Sequence, residues 1–132
     1  MSVEYFGRDK WPQAIVIRKD EKVDGISFYS PTEFPQQIGL MSRRKGHVVE
    51  RHFHNIAQRT IDVTQEVLLI RNGSCIVSLY DDQGEILATI KLSEGDVILL
   101  AHGGHGIEML EDTEILEIKQ GPYSAQDDKR HF

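Results

Sequence analysis

The sequence predicts an all-β fold, and three observations support this prediction. Short runs rich in Val, Ile and Leu recur along most of the chain. Turn-forming residues such as Gly, Asn, Asp and Ser close nearly every run, and no stretch shows the apolar period of an amphipathic helix. Many short strands separated by regular turn signals are typical of a β-sandwich or a β-barrel.

The strand predictions follow these runs in order. Two short strands fall in the N-terminal part, which prolines interrupt, at 14–17 and 25–29. Seven more are predicted at 48–54, 67–70, 76–80, 86–92, 97–100, 107–110 and 115–118. Asn72-Gly73 follows the run 67–70 and favours a hairpin, because both residues tolerate positive φ. The polar residues 121–132 are expected to form an arm or a short helix.

Length and composition predict one ordinary domain. The chain has 132 residues, enough to bury a core without disulfide bonds, and we expect a single domain over 1–132 with a barrel core at about 38–120. The single cysteine, Cys75, excludes an intrachain disulfide, and its position in a strand-like run predicts a small buried side chain.

The net charge of -6 argues against two classes of partner. Neutralising nucleic-acid phosphates or docking on an anionic membrane requires a basic surface. Residues 1–8 carry charges and lack the apolar run of a signal peptide, and no window is long enough to cross a membrane. We therefore expect a cytoplasmic protein.

A group of histidines and carboxylates marks the candidate site. His52 and His54 are two residues apart in a predicted strand, so both imidazoles face the same side, and Glu50 shares their parity. Glu66 begins the next predicted strand. If these two runs pair as a hairpin, the end that carries His54 meets the end that carries Glu66.

His105, at the start of another predicted strand, is the fourth candidate ligand. Neutral imidazoles and one carboxylate suit a divalent transition metal such as zinc, iron, manganese or nickel. On a six-coordinate ion, four protein ligands leave two positions open for substrate, water or dioxygen. Open positions are typical of catalytic rather than structural metals.

Two segments resemble the sequence motifs of the cupin superfamily. In the first, five residues separate Gly46 from His52-Phe53-His54 and six separate Glu66 from Gly73, which matches both flanking spacings of the first cupin motif. In the second, Gly95-Asp96-Val97 opens a strand that leads to His105. The resemblance implies a jelly-roll-like double-stranded β-helix barrel, a metal on His52, His54, Glu66 and His105, and a homodimer.

The chain also departs from both motifs. Eleven residues separate His54 from Glu66, where the motif has three or four, and Gln58 occupies the position that the shorter spacing gives to the carboxylate. The second motif lacks its proline and reaches His105 one residue early. His102 is therefore the alternative fourth ligand.

Two further residues are candidates for a catalytic role. Glu50 has the parity to act as a general base near the metal, or to orient a ligating histidine through a hydrogen bond. Arg59, in the long connection, is suited to binding a carboxylate or phosphate group, and its alternative role is a solvated loop charge.

Cupins perform many reactions, so the function is argued as three hypotheses. The preferred one is a metal-dependent isomerase or epimerase in sugar or surface-polysaccharide metabolism. The second is an iron- or nickel-type dioxygenase, with Leu68, Ile70, Ile107 and Met109 as an apolar wall. The third is a non-catalytic module that binds a metal or a small ligand.

Overall fold

The structure is a computed structural model that describes residues 2–126 and 129–132. All regular secondary structure in this part of the chain is β-strand, as the sequence predicts. All of its strand pairings are antiparallel. The strands are β1 (Val3–Arg8), β2 (Trp11–Ile17), β3 (Gly25–Phe28), β4 (Gly39–Ser42), β5 (Glu66–Asn72), β6 (Ser74–Tyr80), β7 (Ile86–Ser93), β8 (Val97–Leu100), β9 (Gly104–Met109) and β10 (Glu114–Lys119). No helix long and apolar enough to cross a membrane occurs in the described residues.

The chain divides into two compact units. The first comprises residues 1–21 and 63–132 and contains two sheets. One sheet has the strand order β1-β2-β8-β5-β10, and the other has the order β7-β6-β9. Both sheets are open at their edges in the described residues, so this unit is a β-sandwich in character and does not form the closed barrel expected from the sequence.

The hydrophobic core of the first unit lies between its two sheets. Alternate residues of each strand face this core, as the two-residue period of a strand requires. The buried members come from β2, β5 and β8 of one sheet and from β6 and β7 of the other: Ala14, Val16, Leu68, Ile70, Cys75, Val77, Leu79, Ile90, Leu92, Ile98 and Leu100.

The second unit comprises residues 22–62. Its β3 and β4 pair with each other, and Phe34 and Ile38 are its buried apolar side chains. The Ser30 hydroxyl donates to Oε1 of Gln37 at 2.9 Å and accepts the backbone N–H of Ile38 at 2.9 Å. These bonds hold the loop between the two strands.

Most predicted strands are confirmed, but the strand at 48–54 is wrong. The predictions at 14–17, 25–29, 67–70, 76–80, 86–92, 97–100, 107–110 and 115–118 overlap β2, β3 and β5 to β10, whereas β1 and β4 were not predicted. Residues 43–62 contain no strand. The run at 48–54 has the strand pattern but no paired neighbour in the described chain, so the expected hairpin with β5 does not form.

The hairpin predicted at Asn72-Gly73 is also wrong. The two flanking strands, β5 and β6, belong to different sheets, so the chain crosses from one sheet to the other here. Gly73 has a φ of +88°, and a Cβ atom on it would collide with the Asp112 carbonyl and the Thr113 hydroxyl. The glycine therefore serves a tight crossing rather than a two-residue turn. The described residues of the tail, 121–126 and 129–132, form no helix.

Candidate functional site

Two of the four predicted ligands lie close together in the first unit. The Nε2 atom of His105 is 3.7 Å from the Oε2 atom of Glu66. Glu66 belongs to β5 in the five-stranded sheet, and His105 belongs to β9 in the three-stranded sheet. The side chain of Glu66 is 17% exposed and that of His105 is 30% exposed, so solvent reaches this contact.

Strand parity explains why these two side chains converge. Glu66 shares its face of β5 with the buried Leu68 and Ile70, and it occupies the end of that row. His105 lies opposite the fully buried Leu79 in the β6–β9 ladder. Both side chains therefore extend from the core-facing sides of their sheets, where the apolar core gives way to solvent.

Glu117 joins this pair from the neighbouring strand, β10. In the β5–β10 ladder Lys119 lies opposite Glu66 and Glu117 lies opposite Leu68, so Glu117 is the diagonal neighbour of Glu66. The carboxyl group of Glu117 interacts with that of Glu66 and favours the protonated form of Glu66.

The surroundings of Glu66 and His105 favour the neutral form of each side chain, so the pKa of Glu66 is raised and that of His105 is lowered. Burial raises the pKa of Glu66 above its ordinary 4.5, and Glu117 raises it further, while Lys119 and Lys129 oppose the shift. Burial lowers the pKa of His105 below 6.5, and Lys129 adds to this effect while Glu117 opposes it. A neutral imidazole has a free lone pair, which is the form that binds a metal or accepts a proton.

The other two predicted ligands, His52 and His54, lie in the irregular segment of the second unit. Their ring centroids are 5.1 Å apart, with an angle of 73° between the ring planes. The Nδ1–H of His52 donates to the backbone carbonyl of Glu50 at 2.7 Å. Because a carbonyl only accepts, this bond fixes the tautomer and leaves the Nε2 lone pair of His52 available to a ligand.

The two catalytic candidates, Glu50 and Arg59, are both exposed. Glu50 contacts His52 through its backbone carbonyl, so its carboxylate does not make the orienting bond expected of it. The Nη1 of Arg59 donates to the carbonyl of Ala57 at 3.4 Å, a long and weak bond within its own loop. Gln58, which stands where the shorter motif spacing puts a carboxylate, is exposed.

His102, the alternative ligand, has a different environment from His105. Its Nε2–H donates to the backbone carbonyl of Trp11 at 3.2 Å. The histidine that contacts Glu66 is His105 and not His102. Since β9 begins at Gly104, three residues earlier than predicted, His105 is part of the strand and its direction is set by the ladder.

The donor atoms of the Glu66–His105 pair and of the His52–His54 pair are suitable ligands for a divalent ion. A nitrogen and an oxygen bound to the same ion at typical lengths lie about 3 Å apart. A shift of less than about 1 Å would therefore let Glu66 and His105 share one ion. No group of three or more His, Cys, Asp and Glu side chains is arranged around a metal position in the described residues. The four candidates are divided between the two compact units.

Sequence reasoning missed two residues that act on this site, Glu117 and Lys129. Glu117 lies between the apolar Ile115 and the charged Lys119 on one face of β10, and a carboxylate beside an apolar residue in such a row is a weak signal of a site. Without the β5–β10 register, however, the sequence does not reveal that Glu117 faces Glu66. Lys129 lies in the C-terminal tail beyond the predicted strands, so its approach to the site depends on tertiary contacts and not on a local pattern.

The proposed apolar wall divides into two pairs. Leu68 and Ile70 are buried in the core. Ile107 and Met109 lie on the same face of β9 as His105 and are 37% and 50% exposed.

Comparison of the chain with protein-family models, with curated proteins and with solved structures found no match.

Proposed function

We propose that this chain is a metal-binding protein of the cupin type that acts on a small molecule. A divalent transition metal would be held by His52, His54, Glu66 and His105. The observation that carries the proposal is the 3.7 Å approach of His105 to Glu66. These residues are far apart in sequence and lie on different sheets, yet both are candidate ligands on independent grounds of residue type and motif spacing.

The chemistry of the donors supports the same proposal. His105 is favoured as a neutral imidazole, and His52 presents its Nε2 with the other ring nitrogen already bonded. Three imidazoles and a carboxylate form a mixed nitrogen and oxygen set for zinc, iron, manganese or nickel. The antiparallel two-sheet arrangement is also compatible with a double-stranded β-helix, which remains part of the proposal.

An isomerase or epimerase acting on a sugar or sugar nucleotide is the preferred reaction class. A divalent ion supplies polarisation of a substrate carbonyl, which eases removal of a proton from the neighbouring carbon. The chain itself must then accept and return that proton. Glu117 is suitably placed, because it is the diagonal neighbour of Glu66 in the β5–β10 ladder, and Glu50 is the second candidate base.

A dioxygenase is the second candidate, and one observation favours it. Ile107 and Met109 present partly exposed apolar surface on the face of β9 that carries His105. If His105 held a metal, such a surface would help to exclude water from it and so limit side reactions in oxygen chemistry. The identity of the metal distinguishes this reaction class from the first.

Elemental analysis of untagged protein tests the proposal. We expect about one equivalent of metal per chain, lost in the paired variants Glu66→Gln/His105→Ala and His52→Ala/His54→Ala. His102→Ala is the matched control and should retain the metal. Iron would favour the dioxygenase, and zinc or manganese the isomerase. Absence of bound metal after reconstitution with each of these ions would refute the proposal.

A further inference from the structure

Residues 43–62 form a long segment that is exposed and unpaired. None of the backbone–backbone hydrogen bonds among the described residues joins positions 48–62 to another part of the chain. Connections of this length without secondary structure are uncommon in compact domains, and most have a binding function or are linkers. The segment carries large apolar side chains in the open: Val48 is 75%, Phe53 101% and Ile56 103% exposed.

Within this segment, positions 48–54 have the composition of a strand without its partner. Val48 and Val49 are β-branched, and Phe53 is aromatic, which are the residue types that favour a pleated surface. A strand forms only when its backbone N–H and C=O groups find an edge to pair with. An edge outside the single chain would supply what the structure of one copy lacks.

The free edge of β9 is suitable for such pairing. β9 pairs with β6 on one side and is the terminal strand of its sheet in the described residues. An unpaired edge is a template for strand addition by another chain. Gly106 has open space where a side chain would be, so a large residue on an added strand would find room there.

The wider stretches of chain that contain the two segments have opposite charge, while the pairing strands themselves carry only Glu50, Arg51 and Glu108. Residues 43–59 contain five cationic side chains and one carboxylate, a net charge of +4: Arg43, Arg44, Lys45, Arg51, Arg59 and Glu50. Residues 105–118 contain five carboxylates and neither Lys nor Arg: Glu108, Glu111, Asp112, Glu114 and Glu117. Complementary charge of this kind steers association and fixes its register.

We infer that residues 48–54 of one copy add as an antiparallel strand to the free edge of β9 in a second copy. In the register that places His54 opposite His105, Arg51 lies opposite Glu108 and Phe53 lies opposite Gly106. Shifts of one residue place Arg51 opposite apolar side chains. Shifts of two residues place Phe53 opposite Glu108 or opposite Gly104, where the ring of Phe132 already packs.

This exchange completes the metal site between two copies. His52, His54 and His105 then share one face of the extended sheet, because alternate residues face the same side. The consequence for the metal rests on the proposed function, but the strand exchange itself does not. In a two-fold symmetric dimer each strand pairing occurs twice, so one substitution in the chain alters both pairings.

The test is a charge exchange measured by sedimentation equilibrium on chelator-treated protein. We expect a dimer for the natural chain. Arg51→Glu or Glu108→Arg alone should raise the dimer dissociation constant by about tenfold or more, because each places like charges opposite each other twice. The variant with both substitutions should return it to nearly the natural value. Arg59→Glu is the matched control and should have a smaller effect.

Disulfide trapping identifies which copy supplies the strand. After mixing, Phe53→Cys protein and Gly106→Cys protein should form a disulfide-linked species of twice the chain mass. A monomeric natural chain, a dimer unaffected by both charge reversals, or a link that forms only within a chain carrying both substitutions would overturn the inference. Metal content is measured separately, so a metal-free dimer refutes the proposed function and leaves the strand exchange intact.

Discussion

His105 and Glu66 approach within 3.7 Å, and each comes from the core-facing side of a different sheet. The contact lies where the apolar core meets solvent. Partial burial therefore shifts the pKa of both groups, while their remaining exposure leaves them accessible to a ligand. Glu117 and Lys129 add one negative and one positive charge to their surroundings.

The titration of His105 tests the electrostatics of the site. Because burial lowers its pKa below 6.5, we expect its ring to titrate below that value in chelator-treated protein. The neutral ring is favoured by folding, so its contribution to stability is complete above about pH 6.5 and is lost as the pH falls through the folded-state pKa. NMR of the histidine ring protons measures this, with His105→Gln assigning the resonance. A midpoint at or above 6.5 would contradict the prediction.

Arg18 is predicted to stabilise the first unit through two carboxylates. Its Nε lies 2.6 Å from Glu4 and its Nη1 lies 3.2 Å from Asp96, whose side chain is only 10% exposed. The Arg18→Ala variant leaves Asp96 less compensated, and we expect a loss of about 2 kcal/mol in the free energy of unfolding.

The Arg71–Glu114 pair provides the control for Arg18. Its side chains are 59% and 65% exposed, so Arg71→Ala should cost about 0.5 kcal/mol or less. Urea denaturation of both variants gives the comparison. Equal losses at the two positions would show that burial does not distinguish these ion pairs.

Two glycines with the same backbone conformation should respond differently to alanine. Gly73 and Gly46 have φ values of +88° and +89°. Both variants pay the left-handed backbone cost of about 1–2 kcal/mol, but only Gly73→Ala also places a Cβ against Asp112 and Thr113. We expect Gly73→Ala to lower the free energy of unfolding by at least about 1 kcal/mol more than Gly46→Ala does. Thermal and urea unfolding of both variants measure this difference. Similar losses for both would mean that the sheet crossing tolerates a side chain.

Cys75 is predicted to be chemically protected in the folded protein. It is fully buried between the sheets, and burial raises the pKa of its thiol above 9.0. Because the thiolate is the reactive form, the thiol should react with a disulfide reagent only after unfolding. The measurement compares reaction rates in buffer and in denaturant. A fast reaction in buffer would contradict the burial of β6.

The order of the strands was largely predictable, because alternation and turn residues are local signals. β5 to β8 were predicted within about two residues of their observed ends. β1 was missed because Val3–Arg8 mixes charges with apolar residues and gains its strand state from pairing with β2. At 48–54 the same local signal predicted a strand that one copy of the chain does not form.

The candidate site was predictable in its residue types but not in its geometry. The motif spacing identified Glu66 and His105, and the structure brings these two together. Their shared environment with Glu117 depends on the β5–β10 register, which is set by tertiary packing and not by any local pattern. The same dependence explains the error at Asn72-Gly73, where the turn chemistry was recognised but the sheet crossing was not.

Calorimetric titration of the chelator-treated protein with Co²⁺ tests the metal proposal most directly. It should be run on the natural chain and on the His105→Ala, His52→Ala and His102→Ala variants. We predict about one site per chain for the natural protein and for His102→Ala, and affinity at least about tenfold weaker for the other two. Unchanged affinity in both His105→Ala and His52→Ala, or no binding by the natural chain, would contradict a metal site on these residues.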